Sequence, residues 1–220
     1  YQCDWSSDVC SSDLGLPLET IETWKQGLTD ILELGQHQAI DVWFAQLLEN
    51  SELAQDYSRK KYGITTVQAS DYNTFVNDID YADIVETIEL ISSTNTMTTE
   101  DMVEGYMYAW MILNFHIAGY TQQLSKYARY KKNISYRAFY DGLFKKLNST
   151  QPFQEYIKQI RKVVYHYLTT GKLLEFDNHN RGGHGLHSIG GLFVYQNRQR
   201  VHQLSQQMLE ELTEVDSGVD

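Results

Sequence analysis

Residues 15–48, GLPLETIETWKQGLTDILELGQHQAIDVWFAQLL, hold in order a turn, an amphipathic helix, a second turn and a compact apolar run. Gly-Leu-Pro at the start is a turn signal, and Ile21, Trp24, Leu28, Ile31 and Leu32 then recur mostly at three- and four-residue steps, the period of one helix face. Glu19 and Glu22 suit the positive end of the helix dipole, and Gly35 supplies a C-terminal stop. The run AIDVWFAQLL at 39–48 has the composition of a strand covered on both faces, as in a parallel sheet. Turn, helix, turn and strand make the second half of a β–α–β unit, so a first strand is required before Gly15.

Upstream, YQCDWSSDVCSSDL at 1–14 has no apolar period and repeats the word SSD. Residues 4–14, DWSSDVCSSDL, resemble the translated reading of a common DNA-sequencing adapter. The expectation is an adapter artefact at 1–14, disordered and packed against nothing, joined to a chain whose natural continuation lies upstream of Gly15. On this reading Cys3 and Cys10 carry no chemistry. They are the only cysteines in 220 residues, so positions 11–220 offer no thiol for a zinc ribbon or an iron–sulfur cluster.

The formal charge of −11 is concentrated at the ends, with three acids and no base in 1–14 and five acids and no base in 210–220. Composition is that of an ordinary globular chain, 42% hydrophobic and 21% charged. No apolar run reaches the ~18 residues of a membrane span, and no secretory leader pattern opens the chain, so a cytoplasmic location and no membrane partner are expected.

Downstream, 49–64 reads as a polar loop with a short helix, and IVETIELIS at 84–92 as a strand. Thr98 followed by Asp101 resembles a capping box opening a long helix to about Tyr127. Ser135 is placed to cap a helix ending near Leu147, Pro152 to open another that Gly171 closes, and a last helix is expected from about Asn197. The expected organisation is a short α/β piece at 15–92 followed by a helical region at 93–220 with an acidic tail.

Three groups of residues invite a chemical reading. Segment 126–162 carries ten Lys or Arg against two acids, interleaved with Tyr and Phe, the make-up of a nucleic-acid binder. The plainer reading, which is preferred, is a helix pair with its rings inward and its bases facing solvent or the acidic stretch 71–104. His179, His184 and His187 in the glycine-rich 177–191 suggest a metal, but their spacing is not helical and no carboxylate or Cys other than Asp177 is placed to complete a set; Arg181 with Gly182 and Gly183 could instead hold an anion. His116, inside the predicted long helix, reads as a hydrogen-bonded core histidine. No GxSxG, no Walker loop and no self-sufficient catalytic constellation is present, so no catalytic residue and no metal ligand is assigned.

Taken together, GLPLET at 15–20, LGQHQAIDVWFAQLLENSELA at 34–54, KKYGITTV at 60–67 and TNTMTTEDMVEGYMYAWMILNFHIAGY at 94–120 resemble radical S-adenosylmethionine (SAM) enzymes, in particular the type with an N-terminal cobalamin-binding domain. The resemblance implies that 15–92 is the C-terminal portion of a partial (β/α) barrel, with GLPLET after its fifth strand and 39–48 as its sixth. It implies a parent enzyme that uses SAM and a [4Fe-4S] cluster, and possible use of cobalamin, for a methyl transfer or related radical step on a small-molecule or anionic substrate. Of the SAM pocket, Gly15 and Glu19 match the end of the fifth strand, and Trp43, Phe44 and Ala45 stand where sixth-strand backbone approaches the adenine. Leu18 departs from the family's usual Gly in GLPGET, and Glu49 stands where a Pro often precedes NSE. The CxxxCxxC loop that holds the family's cluster is absent, so this fragment is expected to be inactive alone, to bind none of these cofactors stably, and to self-associate through its exposed barrel edge. The reading from another class is a helical module that uses 126–162 on an anionic or nucleic-acid partner.

Overall fold

The structure, a computed structural model, describes residues 10–70, 87–174, 176 and 189–217. It is a mixed α/β unit followed by a helical region, and one hydrophobic core extends through both, from Leu14 to Leu209. The His179, His184, His187 and Arg181 readings lie outside the described residues.

The β–α–β unit is complete. Strand β1 (Cys10–Leu14) pairs in parallel with β2 (Ile40–Phe44), in register from Cys10 opposite Ile40 to Leu14 opposite Phe44. Helix α1 (Ile21–Glu33) makes the crossover. The expectation that 1–14 packs against nothing is therefore corrected for its last five residues. Parallel pairing is made by main-chain groups, which CSSDL supplies as well as any sequence, and Leu14 is fully buried in the common core. A second correction concerns the faces of β2. Ile40, Val42 and Phe44 are buried, but Asp41 is exposed and Trp43 half-buried. Among the described residues one face of β2 is turned into the core, and the alternation I-D-V-W-F obeys that arrangement.

Helix α1 starts where Thr20 caps it in a reciprocal box with Thr23. Glu19 therefore lies outside the helix, in the preceding turn. The chain ends α1 at Leu34 and turns through Gly35 at φ +93°. Beyond β2 comes a short 3₁₀ turn, Glu52–Ala54, and helix α2 (Asp56–Tyr62). The antiparallel pair β3 (Thr65–Ser70) and β4 (Thr87–Ser93) follows. The continuation of β2 joins the two small sheets: Ile91 N donates to Ala45 O at 2.9 Å and Leu47 N to Glu89 O at 2.7 Å. Arg59 clamps this corner through a bidentate pair with Glu89, both bonds 2.7 Å, while Thr66 donates to the same carboxylate.

Helix α3 (Thr99–Met111) begins with the expected Thr98–Asp101 capping box. Met102, Val103 and all of Tyr106–Met111 are buried, the mark of a helix surrounded by its neighbours. The expected uninterrupted helix to about Tyr127 is not formed. After α3 the backbone widens into a π-helical segment, Ile112–Ile117, turns through Gly119 at φ +90°, and restarts as α4 (Gln122–Lys132). The apolar period continues through the break, and for that reason periodicity alone does not reveal it. Helices α5 (Tyr136–Ser149), capped by Ser135, and α6 (Phe153–Thr170), closed by Gly171, agree with their sequence signals. Helices α7 (Gly191–Gln196) and α8 (Arg198–Ser217) are the last elements among the described residues.

Candidate functional site

In parallel sheets, ligands bind beyond the carboxyl ends of the strands, and β1 and β2 present those ends side by side. The loop GLPLET leaves β1 there. Gly15 is buried at φ +98°, and a methyl group on it would lie 2.7 Å from Met102 Cε. Leu18 also adopts a left-handed backbone, φ +71°, with its side chain 67% exposed. The glycine-like conformation is thus retained although glycine is not, and the side chain points where water accommodates it.

Glu19 folds back on its own turn. Its Oε2 accepts the Gly15 N–H at 3.2 Å, while its own N–H donates to Leu16 O at 3.2 Å. Burial pushes its carboxyl up from 4.5 to about 7; the backbone N–H groups of Gly15 and Leu16 oppose this, and the Asp13 charge adds to it. Between pH 4.5 and about 7 the folded chain holds a proton on Glu19 that the unfolded chain has released, so this group's contribution to stability falls as pH rises through that window. Glu19→Gln, which keeps an acceptor for Gly15, is expected to abolish that fall; melting temperatures of both proteins across the window check it.

Of the remaining expected site residues, Trp43 is half-buried, and Phe44 and Ala45 are buried. Phe44 turns into the core and stacks on Tyr106, ring centroids 5.1 Å apart. Ala45 commits both main-chain groups to the fold, its N–H to Leu14 O and its carbonyl to Ile91 N, each at 2.9 Å. The structure thus brings Gly15, Glu19 and Trp43–Ala45 to one strand end. The exposed Leu16 and Leu18 and the half-exposed Trp43 are the groups a ligand there could reach. Asp13, which faces Glu19 electrostatically, was not expected, since it lies in the stretch read as an artefact.

The basic segment 126–162 has its rings largely inward: Tyr136, Phe139, Tyr140 and Phe153 are fully buried, whereas Tyr127 and Tyr130 are exposed. Several bases face carboxylates of other helices. Arg129 meets Glu33 at 2.5 Å, Arg137 meets Glu22 at 2.6 Å, Lys146 meets Glu211 at 2.7 Å and Arg161 meets Glu104 at 2.5 Å. These pairs are part-exposed, so each contributes at most about 1 kcal/mol. Only Glu104 belongs to the acidic stretch expected to be their partner. His116 is a buried, hydrogen-bonded core histidine, and His37, which sequence reading did not single out, is its partner.

Among the described residues no cluster of three or more His, Cys, Asp or Glu is arranged to hold a metal ion. Nor is any helix among them long and apolar enough to cross a membrane.

No family model matches the chain. Over 130 residues, 59% of its length, the chain is 32% identical to the cobalamin-dependent radical SAM methyltransferase TokK of Streptomyces tokunonensis. It is likewise 32% identical over 130 residues to the 2-(S-pantetheinyl)-carbapenam-3-carboxylate methyltransferase of Streptantibioticus cattleyicolor. The matched region spans 19% of each relative. Across more than half its length, then, the chain is similar to a small part of two much longer methyltransferases.

Proposed function

We propose that this chain is a segment of a cobalamin-dependent radical SAM methyltransferase, comprising the last strand ends of its partial (β/α) barrel and the helical region behind them. The observation that carries the reading is the GLPLET loop at the end of β1, placed beside the end of a parallel β2 in a chain 32% identical to TokK. In this reading the adenosine part of SAM lies against Leu16 and Trp43. Gly15 keeps the strand end open, Glu19 closes the turn, and Phe44 and Ala45 shape the site through the backbone. The substrate is a small molecule.

The residues present do not fit the iron–sulfur cluster. Such clusters are held by Cys thiolates, and the chain has only Cys3 and Cys10, which do not form a CxxxCxxC loop. No chemical step is assigned to these residues. The cluster and cobalamin sites belong, on this proposal, to other parts of the parent enzyme. Among the described residues β1 pairs on one side only, which leaves its outer edge open to self-association.

Purified and supplied with iron and sulfide, the chain is expected to form no stable four-iron cluster and no 5′-deoxyadenosine from SAM. The intact gene from the same source is expected to encode a CxxxCxxC loop upstream of GLPLET and to show both once reconstituted. A cluster spectrum with matched 5′-deoxyadenosine from this chain alone would overturn the assignment. Salt-sensitive binding of nucleic acid, lost on neutralising 126–162, would favour the helical binding module instead.

A further inference from the structure

Four segments meet at one buried imidazole, one of them 79 residues away in sequence. His116 is 0% exposed and sits in the π-helical segment, a geometry frequently found at functional positions. Its Nδ1 lies 2.5 Å from Tyr140 Oη of α5 and 3.2 Å from Ser125 Oγ of α4. Its Nε2 lies 3.0 Å from Nδ1 of His37, which belongs to the loop between α1 and β2. Tyr140 Oη is also 3.1 Å from Thr121 Oγ1 and 3.3 Å from Ser125 Oγ. Gln122 Nε2 secures the same loop by donating to His37 O at 2.7 Å. The loop is thus held to the helical region at both its imidazole and its carbonyl.

The chemistry of this chain of contacts is that of neutral rings. Two ring nitrogens 3.0 Å apart accommodate one proton between them, and each imidazole can satisfy its other nitrogen without ionising. A further proton would bring a positive charge into a site whose facing charged group is another cation. From α4 the titratable group facing His116 is Lys126; from α5 the groups are the phenols of Tyr136 and Tyr140; from the α1–β2 loop it is His37. Burial first, then His37 and Lys126, hold His116 down to about 3, and burial with Lys126 also lowers His37. His37, half-buried, is the end of the chain that water can reach.

We infer that His37, His116 and Tyr140 form an acid-releasable clasp that fixes the α1–β2 loop, and with it the start of β2, on the helical region. Closed, the clasp buries neutral rings. Open, it exposes imidazoles that take up protons below their ordinary 6.5. A histidine held down when folded loses its stabilising contribution as pH falls from 6.5 toward its folded value, so acid favours the open form. With an open value of 6.5 and a closed value near 3, His116 alone raises the opening equilibrium about 30-fold between pH ~7.5 and pH ~5. Glu19 has the opposite sign in part of this range, but it sits at the other end of the strands and reports on residues 15–20.

The test is hydrogen exchange of the whole chain, read by mass spectrometry over residues 36–41 and corrected for intrinsic exchange rates. Protection there is expected to drop about 30-fold from pH 7.5 to pH 5, and His116→Gln, which cannot titrate, is expected to remove most of that drop. The unmodified chain supplies a second reading that does not depend on the variant's folding: the ring resonances of His116 should stay those of neutral imidazole down to pH 5 while the chain is folded. Equal protection at both pH values, or a His116 ring that titrates near 6.5 in the folded chain, would overturn the inference.

Discussion

Gly171→Ala is expected to destabilise the fold by about 3–5 kcal/mol, among the larger effects a single methyl group can have. Two causes add. Gly171 closes α6 at φ +70°, where an L side chain costs about 1 kcal/mol. The methyl would also lie 1.9 Å from Gln68 O, 2.7 Å from Gln68 C and 2.9 Å from Ala69 Cα. Those atoms are the backbone of β3, not the end of a flexible side chain, so relief requires moving the strand or the helix end. Gly35→Ala is the internal control. Its φ of +93° imposes a comparable conformational penalty, but nothing lies within 4 Å of the added methyl, and about 1 kcal/mol is expected. Urea unfolding of the two variants separates contact from conformation; equal losses would show that the approach of α6 to β3 is not as close as described.

Phe44→Ala is expected to cost about 3–5 kcal/mol, the usual range for truncating a fully buried aromatic. Phe44 is 1% exposed, stacks on Tyr106 of α3, and meets Tyr167 of α6 with ring centroids 6.4 Å apart. It therefore fastens the carboxyl end of β2 to two helices, and its loss leaves a cavity beneath the candidate site. Phe44→Leu, which keeps most of the volume, should cost under about 1.5 kcal/mol. Denaturant midpoints decide between a core role and a ligand-facing one. A Phe44→Ala protein within 1 kcal/mol of the parent would place the side chain outside the core.

Much of the helical region is legible in the sequence because its signals are local. Thr98 with Asp101, Ser135, Gly171 and Gly35 act within one turn of their own positions, through hydrogen bonds or backbone preferences that need no distant partner. The short strand β3, TTVQAS, is harder to read: it is partly exposed and takes its shape from β4, seventeen residues further along. The loop GLPLET announces the candidate site by its spelling, yet Leu18 hides the left-handed turn that glycine would have advertised.

By itself, the sequence determined where α3 and α5 begin, where α1 and α6 end, which face of α1 is apolar, and that a β–α–β crossover needs a strand before Gly15. Only the tertiary structure decided that CSSDL fills that strand, because parallel pairing is made by main-chain groups indifferent to side chains. It also decided that Arg129, Arg137 and Arg161 turn to Glu33, Glu22 and Glu104, since the partner of a long cation is chosen by which helices pack together. The meeting of His37 with His116 across 79 positions is of the same kind. Neither residue carries a local preference for the other; burial removed the water that would otherwise have been their partner.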